Sequence, residues 1–266
     1  MGAYNKILKQ AYEITRQHKF AWILGLFLSL SILYLTLEFV ILDYFDIPSF
    51  LAVAIWLAVF LFFVRSHVSL IIAIKAIIDK QGTSVKKSFN SSVLFYGRIL
   101  LISILMYFGS IVVSGILLAP SRYLYQHNEP TQALTLFILG LAILLPLLML
   151  AFVASVLSFM FVINYDLKVK EALGRTADMI VKQWLSIFGL LVFLIILDLP
   201  ALFLLQYMVG LRGGLLFYLS MGILFLLFQS VYMVFQQTAW MLLFNDLIKP
   251  QKFEIEQTMP APEIVG

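Results

Sequence analysis

Asp198 stands two residues before Pro200 within a long apolar stretch. A carboxyl group in such a place has two readings: it binds a cation or exchanges a proton, or it stays neutral and hydrogen-bonds to carbonyls freed by the proline. Arg65 and His67 lie well inside another apolar stretch. Arginine there either snorkels to water and phosphate at the inner boundary or serves a pathway. Glu38 shares a helical face with Ser31 and Tyr34, and reads as interfacial or as pathway-lining. Ser103, Tyr107, Ser110 and Ser114 form one polar stripe, and Gln229, Tyr232 and Gln236 another. Such side chains usually draw membrane helices together, the alternative being a polar conduit. Glu38, Arg65, His67, Asp198, Gln229 and Gln236 are therefore the candidate intramembrane polar site.

The sequence offers little to catalysis. His18, His67 and His127 fall in different segments, and there is no cysteine to act as nucleophile or thiolate ligand. No His-Glu-x-x-His, Gly-x-Ser-x-Gly or phosphate-cradling glycine loop occurs. The expectation is a non-enzyme with no catalytic residue, metal site or cofactor.

The stretches that must position these groups define the class. The 266 residues are 62% hydrophobic and 12% charged, whereas a soluble domain has about 45–50% apolar and about 25% charged residues. With a mean hydropathy of +1.01, the outer surface needs lipid as its solvent. The net charge of +4 does not mark a nucleic-acid binder, because the cations sit in short segments between apolar runs. A helix needs about 20 apolar residues to cross a hydrocarbon core of about 30 Å. Six runs meet this: Phe20 to Leu42, Phe50 to Ile78, Gly97 to Ala119, Ala133 to Asn164, Trp184 to Met208 and Leu215 to Ile248. The first is too long for a signal peptide and lacks an Ala-x-Ala site, so it is expected to remain as a span. All of the 18 lysines and arginines except Arg65, Arg122 and Arg212 fall on one side of these runs. That side is cytoplasmic by the positive-inside rule, which places both termini there.

A short pattern recurs before each outward-going run. Leu8-Lys9-Gln10-Ala11-Tyr12-Glu13-Ile14-Thr15 aligns without gaps with Val85-Lys86-Lys87-Ser88-Phe89-Asn90-Ser91-Ser92, and with Val169-Lys170-Glu171-Ala172-Leu173-Gly174-Arg175-Thr176. The common order is aliphatic, Lys, polar, small, large apolar, two variable positions, then Ser or Thr. Asp79, Asp166 and Asp246 mark the inner ends of the returning runs. The expected fold is all-α: six transmembrane helices as three hairpins, each preceded by an amphipathic interfacial helix. Residues 1–248 then form a single membrane domain, with units at about 3–79, 80–166 and 167–248.

Lys9, Lys86 and Lys170 are placed to meet anionic headgroups, each worth about 1 kcal/mol there. Docking of a cytoplasmic partner is the other reading of these helices. The returning runs exceed what a bilayer needs, so Ser69 to Ile78, Ser158 to Asn164 and Gln237 to Leu247 are expected to project inward and pack on the amphipathic helices. Pro146 is expected to kink the fourth span. Residues 249–266, polar and aperiodic, read as a flexible cytoplasmic tail.

With the Lys-x-small-apolar-x-x-Ser/Thr pattern at Lys9, Lys86 and Lys170 before three hairpins, the chain resembles a loose group of bacterial inner-membrane proteins. The group includes the membrane domain fused to glycerophosphoryl diester phosphodiesterases and six-helix proteins of the YciC type. The resemblance covers about residues 3–248 and implies a membrane anchor, scaffold or accessory subunit, with a protein partner or a second copy beside anionic lipid. A transporter or permease component for a small solute, lipid or peptide is the alternative. The phosphodiesterase domain is absent from this sequence, so that activity does not carry over.

Overall fold

The computed structural model describes residues 2–45, 48–127, 129–210 and 215–258, and side chains within these except at 2–3, 36–45, 49, 205, 208–210, 215–216, 218–219 and 249–258. Eight helices make up the described residues: α1 (Gly2–Gln17), α2 (Ala21–Phe45), α3 (Ser49–Ile78), α4 (Val85–Ser91), α5 (Val93–Gln126), α6 (Pro130–Tyr165), α7 (Val169–Gly210) and α8 (Leu215–Thr258). Among them α3, α5, α6, α7 and α8 are long and apolar enough to cross a membrane, and the α1–α2 pair, bent by 100°, raises the number to as many as six. The chain is thus all-α and, by helix length and hydropathy, a multi-pass membrane protein.

The three amphipathic segments are present, each made differently. α1 turns into α2 at a corner held by the Trp22 indole, whose Nε1 donates to the Thr15 carbonyl at 2.9 Å. α4 begins at Ser84, whose Oγ accepts the Lys87 N–H at 3.3 Å as an N-cap. The third segment is the first part of α7, parted from the remainder where Gln183 leaves helical geometry with φ −127° and ψ 24°. The repeated pattern has one structural meaning in all three. Its small residue (Ala11, Ser88, Ala172) and its Ser/Thr (Thr15, Ser92, Thr176) are each at most 3% exposed, whereas Lys9, Lys86 and Lys170 are exposed. Spaced four apart, the small and hydroxyl residues share a helix face that admits close approach of a neighbour.

Three of the long helices each bury one stretch on every side: Ser66 to Ile71 in α3, Val156 to Ile163 in α6 and Gln237 to Met241 in α8. Uniform burial is what a helix apolar all round requires, and here the surroundings are protein. The most hydropathic stretches of α5 and α6 are instead 11% and 17% buried, against 50% in α3 and α8, so their apolar surface is left for lipid. Ser158 Oγ donates to Thr176 Oγ1 at 3.0 Å, the expected packing of a returning span on the amphipathic segment after it.

Packing divides the chain into two units, Met1–Asn90 with Gln183–Gly266, and Ser91–Lys182. The division does not follow the repeat boundaries. In the first, α2 packs on α3 and α8, and α1 on α8. α2 and α8 meet at Gly25, where the space a Cβ would need is taken by the Ser230 carbonyl. In the second, α5 and α6 pair along their length, and Gly140 comes so near α5 that a Cβ would lie 2.9 Å from the Leu117 oxygen.

Two boundaries differ from the sequence reading. α5 continues through Pro120 to Gln126 instead of turning after Ala119; proline removes one N–H yet does not end a helix whose remaining bonds persist. Pro146 lies inside α6, where the fourth span was expected to kink. Asp79 and Asp166 do close α3 and α6, with left-handed φ of 56° at Lys80 and 55° at Asp166, but Asp246 lies within α8, whose helical backbone extends to Thr258. The tail expected at 249–266 lies outside the described side chains, and from 259 outside the described residues.

Candidate functional site

Asp198 and Gln229 meet. The Gln229 Nε2 donates to Asp198 Oδ1 at 3.0 Å, joining α7 to α8. One turn further along both helices, the Tyr232 hydroxyl donates to the Leu194 carbonyl at 2.7 Å. That carbonyl stands four residues before Asp198 and two before Ile196, whose own carbonyl is the one Pro200 leaves without a helical donor. Asp198 is half-buried and Gln229 buried. The Gln229 Oε1 is enclosed without a donor, so the pair offers carboxylate and amide oxygens to a proton or small cation.

Arg65 and His67 belong to a different place. The Arg65 guanidinium lies over the Phe89 ring at 4.4 Å, a cation–π contact between α3 and α4. Buried His67 lies beside the Phe63 ring of its own helix at 5.9 Å, and α3 packs on α8. Arg65 Nε, Ser66 Oγ, Gln237 Oε1 and Trp240 Nε1 are all enclosed without a hydrogen-bond partner. They are groups that water or a headgroup oxygen would satisfy.

Of the remaining candidates, Gln236 is half-buried, and the side chain of Glu38 lies outside the described residues. In the α5 stripe, Ser103, Ser110 and Ser114 donate to carbonyls of their own helix, Ile99, Met106 and Ser110, at 2.9, 2.7 and 2.7 Å. Among the described residues no group of three or more His, Asp or Glu could hold a metal ion.

Each unit has a cavity among its described residues. A cavity of about 960 Å³ lies between α5 and α6 near Ser114, Ser121, Arg122 and Pro130. Another, of about 610 Å³, is bounded by α1, the start of α2, α7 and α8. Neither is lined by Arg65, Asp198 or Gln229.

Sequence reasoning missed Gln237 and Trp240 as buried polar groups of α8, and Arg98. The last donates Nη1 to the carbonyls of Asp166 and Leu167 at 2.8 and 3.0 Å, and Nη2 to the Asp166 carboxylate. It fixes the turn between α6 and α7. Amides buried in an apolar helix were the available signal for Gln237; nothing in the sequence links Arg98 to Asp166. No protein-family model, no curated protein and no solved structure matches this chain.

Proposed function

We propose that the chain is a non-enzymatic scaffold or accessory subunit of a bacterial inner-membrane complex. It crosses the bilayer six times as three hairpins, each led by an amphipathic segment in the headgroup layer, with both termini cytoplasmic. The observation that carries this reading is the separation of its polar groups. Arg65 is held on Phe89 and Asp198 is tied to Gln229, and neither lines either of the two cavities described above. Side chains used in this way hold helices in register and provide no continuous path. The thinly covered apolar surface of α5 and α6 supplies an area on which a partner's spans can pack.

The test is mild-detergent purification of the full chain with crosslinking and identification of what accompanies it. A stoichiometric membrane partner, displaced when Leu105 and Val112 are replaced by tryptophan, is expected. Recovery of the chain alone, with the same result after in-membrane crosslinking, refutes the scaffold. A permease component is the second reading, favoured by the donorless Gln229 Oε1 beside Asp198. Asp198→Asn would then abolish solute flux across proteoliposomes without loosening the partner.

A further inference from the structure

The cavity of about 610 Å³ in the first unit has walls of unusual chemistry. It lies within the range of small-ligand pockets, and its lining on α7 and α8 is apolar or aromatic, from Leu197 and Leu227 down to Phe235. The polar groups in its walls are already engaged. Thr15 Oγ1 donates to the Ala11 carbonyl at 2.8 Å, Trp22 Nε1 to the Thr15 carbonyl at 2.9 Å, and the Tyr232 hydroxyl to the Leu194 carbonyl at 2.7 Å. The remaining polar lining is Arg16 and Tyr12, both exposed and both from α1. Four residues apart, they share one face, one turn beyond Lys9. The occupant that fits is therefore long, apolar and anionic at the α1 end only. Leu227 to Phe235 cover about 12 Å of helix, a reach that suits an alkyl chain better than a compact solute.

We infer that this cavity binds one anionic phospholipid, an acyl chain between α1, α7 and α8 and its phosphate on Arg16. Arginine suits the task because its planar fork pairs two phosphate oxygens at once. The neighbouring Lys9 and Lys19, both exposed, favour a headgroup with net negative charge over a zwitterionic one. The inference rests on the reading that α1 lies in a headgroup layer.

The experiment uses the full chain in phosphatidylcholine vesicles with phosphatidylglycerol brominated on its acyl chains in both leaflets, read by quenching of tryptophan fluorescence. Trp22 lines the cavity and supplies the signal. At equal mole fraction, brominated phosphatidylglycerol should occupy the site about five-fold more readily than brominated phosphatidylcholine, the worth of one cation near an anionic headgroup. Trp22→Phe should remove the excess quenching, and Arg16→Gln the preference. Val231→Phe, which fills the cavity but keeps Arg16, should remove the quenching too. Soluble glycerol phosphate in excess should displace nothing. Retention of the preference in Arg16→Gln, retention of the quenching in Val231→Phe, or displacement by glycerol phosphate would each overturn the assignment. With label in both leaflets the outcome is independent of which face α1 occupies, so a wrong topology and a wrong site are told apart.

Discussion

Replacing Gly25 by alanine should pry α2 away from α8. The new Cβ would overlap the Ser230 carbonyl oxygen and lie 3.0 Å from its carbon and 3.3 Å from its Cα. All three atoms are backbone, so no rotamer change relieves the crowding, and one helix must shift against the other. Overpacking of this kind costs about 1–3 kcal/mol, while alanine returns up to about 1 kcal/mol of helix propensity. Gly109→Ala is the control, since nothing lies within 4 Å of its Cβ position and only the propensity gain applies. Gly189→Ala is intermediate, meeting the Tyr4 hydroxyl at 3.3 Å, at the end of a side chain that can move. The net difference between the first two is about 1–3 kcal/mol, which for a chain of this size is a gap of about 2–12 °C in Tm. Thermal unfolding in one detergent, followed by size-exclusion of the surviving fraction, measures it. If Gly25→Ala proves as stable as Gly109→Ala, α2 and α8 do not touch backbone to backbone and the core of the first unit is built otherwise.

Ser158→Ala and Thr176→Val should each destabilise by about 1 kcal/mol by leaving a buried hydroxyl or its place unpaired, and the double variant by less than their sum, as detergent unfolding in a double-mutant cycle would record. Asp166→Gly should be more stable than Asp166→Ala by about 1 kcal/mol, because both lose the carboxylate contact to Arg98 but only alanine strains the left-handed backbone. Because the chain has no cysteine, single reporters need no background removed. Asn5→Cys should be shielded from an impermeant thiol reagent in intact cells and Tyr125→Cys labelled, and the reverse pattern would invert the proposed topology.

The amphipathic segments were legible because charge and apolar residues alternate on them with helical period, and the chemistry of water against lipid writes that alternation into sequence. The inner ends of the returning spans were legible from length alone. Ser158 meets Thr176 where surplus helix was expected to pack. Along α5 and α6 the same reasoning fails, because the face toward lipid and the face toward protein are equally apolar, and periodicity carries no mark of which is which. This is why the serines of α5 suggested a shared stripe although each bonds within its own helix. Proline misled for a related reason. Pro120 reads as a turn from its residue type, but it removes a single N–H from a long helix whose other bonds persist, so α5 continues. Asp198 and Gln229 could be named singly, yet their pairing depends on the axial register of α7 against α8, which no local spacing encodes.

Within the second unit, the tightly wrapped end of α6 from Val156 to Ile163 and the bare flanks of α5 and α6 elsewhere give this hairpin a gradient of stiffness along its own length. Lateral pressure, a thinner bilayer or a different sterol or acyl composition would act on the loosely covered rods and leave the clamped ends nearly still. Strain entering from the lipid would thus be felt chiefly as tilt of the second hairpin, and hosts with dissimilar membranes should alter its angle well before they alter its hold.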